Sequence, residues 1–148
     1  MLRFTRGGYN MAVVSVRKSI SSRGNHHVLD ITSQVADSVQ QSGLESGVAT
    51  VFVTGSTAGV TTVEYEPGLV ADLEKAFDRL VPRELEYRHH ERWGDDNGHS
   101  HVRASLLGPS LAVPFNGGRL ELGTWQQIVL IDFDTRARNR EYLVQIVG

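Results

Sequence analysis

Between Gly94 and Leu111 the chain reads GDDNGHSHVRASLLGPSL. Asp95 to Arg103 alone hold two carboxylates, an amide, two imidazoles and a guanidinium. His99 and His101 are one residue apart. On an extended segment both rings project to one face, which suits joint metal coordination; on a helix they diverge by about 200°, and only one serves a given site. Asp95, Asp96 and Asn97 add oxygen donors beside them. Oxygen and imidazole donors without thiolate suit Mg²⁺, Mn²⁺ or Zn²⁺, and the same cluster is equipped to hold a phosphate. Arg103 offers a planar donor fork for carboxylate or phosphate, or for a surface salt bridge. Ser105 is small and reads as packing. The expectation is a site for a divalent metal or a phosphate-like anion, with His99, His101 and Asp95 as the candidates to hold a metal and Asn97 and Arg103 as the candidates to meet a phosphorylated ligand.

A second stretch, TGSTAGVTTVEYEPG, places glycines and hydroxyls between two strands. Exposed groups at Gly55, Ser56, Thr57 and Gly59 would cradle an anion or simply form a tight turn. The Gly-Lys-Ser/Thr ending of a Walker loop is absent. Glu64, flanked by Val63 and Tyr65, is either rim-facing or functional. His26 and His27 are adjacent and face opposite ways on a strand, and His89 and His90 read as solvated. There is no cysteine and no serine in a nucleophile-elbow context, so acyl-enzyme chemistry finds no support.

Those residues must be positioned by a β-rich frame. MAVVSVRKSI, HHVLDI, Val48–Val53, GVTTVEY, Ser110–Phe115, Gln126–Phe133 and Tyr142–Val147 read as strands. A first helix runs from a cap at Thr32 or Ser33 to Gln41, burying Val35, Ala36 and Val39, and Gly43 ends it. A second spans 67–81, with Leu69, Leu73, Ala76, Phe77 and Leu80 as a core stripe and Pro82 closing it. Residues 83–98 are a long polar loop, Ala104–Leu107 an apolar turn, and TRARNRE a solvated hairpin. Two helices among many strands give an α+β, β-rich class, a β-sandwich with two main helices packed on it.

A chain of 148 residues fits one domain, with about 70% of the unfolded surface buried on folding. A formal net charge of −2 supplies no field for a general nucleic-acid or membrane-surface role. No apolar run approaches the roughly 18 residues of a spanning helix, and the start MLRFTRGGYN lacks the apolar core of a signal peptide. Cytoplasm is the default location. Met11 opens the first clean strand, so residues 1–10 read as an upstream start or a disordered extension, and 11–148 as the domain.

GDDNGHSHVRASLLGPSL, GRLELGTWQQIVLIDFD and the closing VQIVG resemble the YjbQ family, as do HHVLDITSQV and VFVTGSTAGVTTVEYEPG in the same order. The resemblance covers about Met11 to Gly148. It implies a jelly-roll-like sandwich with added helices, assembled as a homotrimer, with clefts near subunit boundaries. It also implies a metal- and anion-binding cleft at Asp95, Asn97, His99, His101 and Glu64. The implied activity is that of a thiamine-phosphate synthase, a transferase joining a pyrimidine methyl diphosphate to a thiazole phosphate with release of pyrophosphate. In that chemistry His99 and His101 would bind metal or donate to the leaving oxygen, and Glu64 or Asp95 would orient them. Arg103 and the amides at Ser56 and Thr57 would stabilise the departing charge. The alternative is a non-enzymatic trimer that binds a metal or anion. Many members carry a His where this chain has Gly55; if that His is a ligand or acid in them, this chain lacks it.

Overall fold

The computed structural model describes residues 2–6 and 9–148, with side chains from Met11 onward. A six-stranded antiparallel sheet runs in the order β1 (Leu2–Arg6), β2 (Tyr9–Ser22), β9 (Arg138–Val147), β4 (Ser46–Val53), β6 (Ser110–Asn116) and β7 (Arg119–Leu120). A three-stranded sheet runs β3 (His27–Asp30), β8 (Gln127–Asp132), β5 (Ala58–Val63). The first ten residues, expected as an upstream start or disordered extension, contain β1, which pairs with the start of β2. Met1, Gly7 and Gly8 lie outside the described residues.

The apolar run of β8 explains the layering. A strand that alternates in burial has one covered face; β8 is buried at five successive positions, Ile128 to Asp132, because both its faces are covered. Ile128 and Leu130 join Val51, Val144 and Ile146 in a core between the two sheets. Val129, Ile131 and Phe133 point the other way, onto Ala104, Val70, Phe77 and Leu107. The small sheet is therefore a middle layer.

Helix α1 (Thr32–Ser42) closes the inter-sheet core with Val35 and Val39, and Gly43 ends it with φ 69°, as its sequence predicts. The start is capped differently from expectation. Asp30 Oδ1 accepts from the Thr32 amide at 2.9 Å, while the Thr32 hydroxyl accepts from the Ile128 amide of β8 at 2.8 Å. Thr32 thus ties the helix to the sheet.

Helix α2 (Pro67–Leu80) is capped by the Glu66 carboxylate, which accepts from the amides of Gly68 and Leu69. The expected stripe is only partly core: no residue of α2 is fully buried, and Leu80 is 74% exposed. Val70 and Phe77, two turns apart, are the side chains that meet the sheet, so the helix is rolled away from the stripe's centre. The 83–98 loop contains a third helix, α3 (Arg88–Trp93), and the 98–107 segment is a fourth, α4 (Gly98–Leu107). Two glycines set α4 in place by having no side chain. A Cβ on Gly98 would lie 2.4 Å from Tyr87 Cβ, and one on Gly59 would lie 2.7 Å from the Gly108 carbonyl oxygen. Gly59 thus serves close packing of α4 on β5, where an exposed anion cradle or a tight turn was expected. The class is α+β and β-rich, with four helices among the described residues, none of them long and apolar enough to cross a membrane.

Candidate functional site

Because 98–107 is helical, the two histidines part company. His99 and Arg103, one turn apart, face α2 and the 81–87 segment. His99 is 5% exposed; the Ser100 hydroxyl lies 3.3 Å from its Nε2, and its Nδ1 has no hydrogen-bond partner among the described residues. Burial, then the charge of Arg103, lowers its pKa. Arg103 is 1% exposed and committed to structure. Its Nε and Nη2 donate to the Val81 carbonyl at 3.1 and 2.7 Å, and Nη2 also donates to Asp78 at 2.7 Å. It fastens α4 to the end of α2 and does not reach the cleft.

His101 lies on the other side of α4, against a hollow of about 370 Å³ shared with Gly55, Ser56, Thr57 and Asn97. Behind it stands His89 of α3, with ring centroids 4.4 Å apart. His89 Nε2 is 3.7 Å from Asp95, and Asn97, with its amide nitrogen turned toward them, donates to Asp95 at 3.1 Å and to His89 at 3.3 Å. Burial and then the His89 imidazole lower the pKa of His101, against the opposing pull of Asp95 and Asp134. Its ring is therefore neutral at pH 7.

The opposite wall comes from the β8–β9 connection. Arg140, its side chain 11% exposed, donates from Nε (2.8 Å) and Nη2 (2.5 Å) to the two oxygens of fully buried Asp132, and from Nη2 to the Thr57 hydroxyl at 2.7 Å. Asp132 belongs to the small sheet and Arg140 to the large one, so this fork bridges the two. Arg138 donates through Nε to Asp134 at 2.6 Å. Burial opposes the Asp134 charge, but the bonds from Arg138 and the Thr135 amide outweigh it and hold the carboxyl below its usual pKa. Arg140 Nη1 and both terminal nitrogens of Arg138 have no protein partner among the described residues. Gly55 leaves the first of these open. Its φ is not left-handed, so its backbone does not require glycine, but a Cβ there would sit 3.3 Å from Arg140 Nη1 and within 4 Å of nothing else.

Of the expected residues, Ser56, Thr57, Asn97 and His101 are brought together, with Asp95 behind them. Glu64 is exposed and stands past the far end of β5, about 20 Å of strand from Thr57. His99, His101 and Asp95 are not gathered into one ligand set, and among the described residues no three His, Asp or Glu side chains are arranged to hold a metal. His89, Asp132, Asp134, Arg138 and Arg140 were not anticipated. One signal for the arginines was available: they share the even-numbered parity of Tyr142, Val144 and Ile146, the buried face of β9.

Residues 17–148 match the family model described as UPF0047 protein YjbQ-like. A UPF0047 protein of Methanothermobacter thermautotrophicus is 35% identical over 95% of this chain and 96% of its own length. The UPF0047 protein YugU of Bacillus subtilis is 33% identical over 87% of this chain and 96% of its own. A crystal structure from Sulfolobus solfataricus, titled a YbjQ-like protein of unknown function, superposes with TM-score 0.88 at 33% identity, covering 93% of this chain and 99% of that one. A Clostridium acetobutylicum structure gives 0.81 at 34% identity, covering 88% and 98%.

Proposed function

Since this chain belongs to the UPF0047 YjbQ-like family, we propose that its cleft binds a small phosphorylated ligand and serves a transferase reaction of the thiamine-phosphate synthase type. The observation that carries this reading is the set of arginine nitrogens at Arg138 and Arg140 left without protein partners beside the Ser56–Thr57 segment. An almost buried guanidinium with a free donor edge is preorganised for an oxyanion, because its orientation is already fixed by Asp132.

In the proposed reaction a thiazole ring nitrogen attacks the methyl carbon of a pyrimidine methyl diphosphate, and the carbon–oxygen bond to diphosphate breaks. The attacking nitrogen carries no proton, so little base chemistry is required. The difficult part is charge gathering on the leaving diphosphate. Arg138 and Arg140 meet that charge, and neutral His101 can donate its ring N–H to a leaving oxygen. Asp95 and Asn97 act through His89, which packs on His101. A divalent ion would supply further charge to the diphosphate, but the expected ligands do not converge for it.

The alternative is a binding protein that uses the same cleft without turnover. Calorimetry with pyrophosphate at pH 8 tests the shared premise: we expect binding in the wild type, weakened about tenfold in Arg138→Gln. Equal affinity in the two proteins, or no binding in either, overturns it. Pyrophosphate release from the paired substrates, lost in His101→Ala, favours the enzyme; saturable binding without release favours the binding protein. Parallel titrations with Zn²⁺ and Mn²⁺ test the metal. The same reading takes the two facing sheets as a jelly-roll-like sandwich and the protein as a cytoplasmic homotrimer. Support for assembly comes from Val48 and Phe52, 41% and 43% exposed on the outer face of β4, where a soluble sheet leaves apolar side chains only at some cost.

A further inference from the structure

His101 separates two hollows of opposite character. The arginine-lined cleft shares Gly55, Ser56 and His101 with a second hollow of about 190 Å³, whose remaining wall is Ala58, Ala104, Ser105 and Pro109. Among the described residues no charged side chain lines the second hollow, whereas Asp134, Arg138 and Arg140 all line the first. An anion in the second would lose water and meet the methyl groups of Ala58 and Ala104 and a proline ring, with the Ser56 and Ser105 hydroxyls and His101 as its polar neighbours and no cation to compensate it. An uncharged group would lose little and gain contact. The size is informative too, since a cavity of about 150 Å³ suffices to bind benzene.

We propose that the site selects a phosphate ester that carries a ring over one that does not: the phosphoryl group lies at Arg138 and Arg140, and an uncharged group of about one six-membered ring lies in the Ala58–Ala104–Ser105–Pro109 lobe. This rests on the anion reading of the arginine cleft. His101, common to both lobes, then stands beside the bridging ester oxygen, the atom that keeps the electron pair when its bond to carbon breaks and the phosphoryl group leaves with it. Ser105 becomes a specificity-determining position. It sits one turn beyond His101 on α4, donates its hydroxyl to the His101 carbonyl at 2.8 Å, and presents only a small side chain to the lobe.

The experiment compares phenyl phosphate with methyl phosphate by calorimetry at pH 8, in the wild type, Ser105→Ala and Ser105→Leu. The ring ester is expected to bind about tenfold more tightly than the methyl ester in the wild type and in Ser105→Ala, from burial of the ring. In Ser105→Leu, which fills the lobe, that ratio should fall close to one. Equal binding of the two esters by the wild type overturns the proposal, and needs no variant to be read. So does a preserved tenfold ratio in Ser105→Leu. Failure of both esters and of pyrophosphate to bind would instead remove the anion reading beneath it.

Discussion

Asp132 has no exposed side-chain surface, and its charge is answered by Arg140. Removing one partner of such a pair leaves a buried charge uncompensated, so Arg140→Met should cost about 3–5 kcal/mol of stability, read as a lower urea midpoint. Arg138 is 37% exposed but its partner Asp134 only 2%; because Gln keeps an amide donor and Arg140 stays 3.5 Å from that carboxylate, Arg138→Gln should cost about 1–3 kcal/mol, less than Arg140→Met, while still weakening anion binding. His26 makes a different prediction. It adopts φ 64°, packs between Phe77 and Phe133 with centroids 5.5 and 5.3 Å away, and has no partner for either ring nitrogen among the described residues. Burial, reinforced by Arg103 and Arg83 and opposed by Glu74 and Asp78, lowers its pKa from 6.5 to about 4. Above pH 6.5 folded and unfolded states both hold it neutral, and it contributes no pH dependence to stability. As pH falls from 6.5 toward 4 the unfolded chain takes up a proton that the fold refuses, and roughly 3 kcal/mol is lost. Urea titrations at pH 7 and pH 4 should show His26→Phe losing less stability than the wild type over that interval; equal losses would assign the acid sensitivity elsewhere.

Periodicity found the elements whose faces differ. It located α1, α2 and most strands, because burial of one face leaves an alternating or 3.6-residue pattern. It could not say which part of α2's apolar surface meets the sheet, since Leu69, Leu73, Phe77 and Leu80 are equally apolar before they are packed. Phe77→Ala should therefore cost about 3 kcal/mol, and Leu80→Ala no more than about 0.5, by thermal or urea unfolding. α4 was illegible for another reason. It opens with glycine and polar residues, and its position depends on Gly98 and Gly59 fitting against Tyr87 and Gly108, contacts distant in sequence. Only an extended segment would make His99 and His101 neighbours, and the helix, the other case, parts them. The arginines were hidden by the habit of assigning charge to solvent. Arg138 and Arg140 occupy inward positions of β9 because Asp134 and Asp132 are there to receive them; parity with Tyr142 was their one local trace, and it does not reveal that acids four and eight residues back turn to meet them.

At the scale of the whole molecule, the outer face of β4 makes assembly testable. Light scattering at micromolar concentration should give a trimer mass, and Phe52→Lys should shift it toward a monomer without abolishing the fold, because Phe52 contributes little to the core of its own chain. The fork from Arg140 to Asp132 has a consequence beyond charge. It is a rivet between two layers that otherwise meet through apolar contacts, and the cleft opens at its head. A tightly held anion there would couple the slow breathing of the layers, so amide hydrogens of β8 and β9 should exchange more slowly together when pyrophosphate is bound, while those of α2, on the far side of the middle layer, keep their own rate. Seen in that way, occupancy of the cleft would be legible in the clock of the backbone before any product is measured.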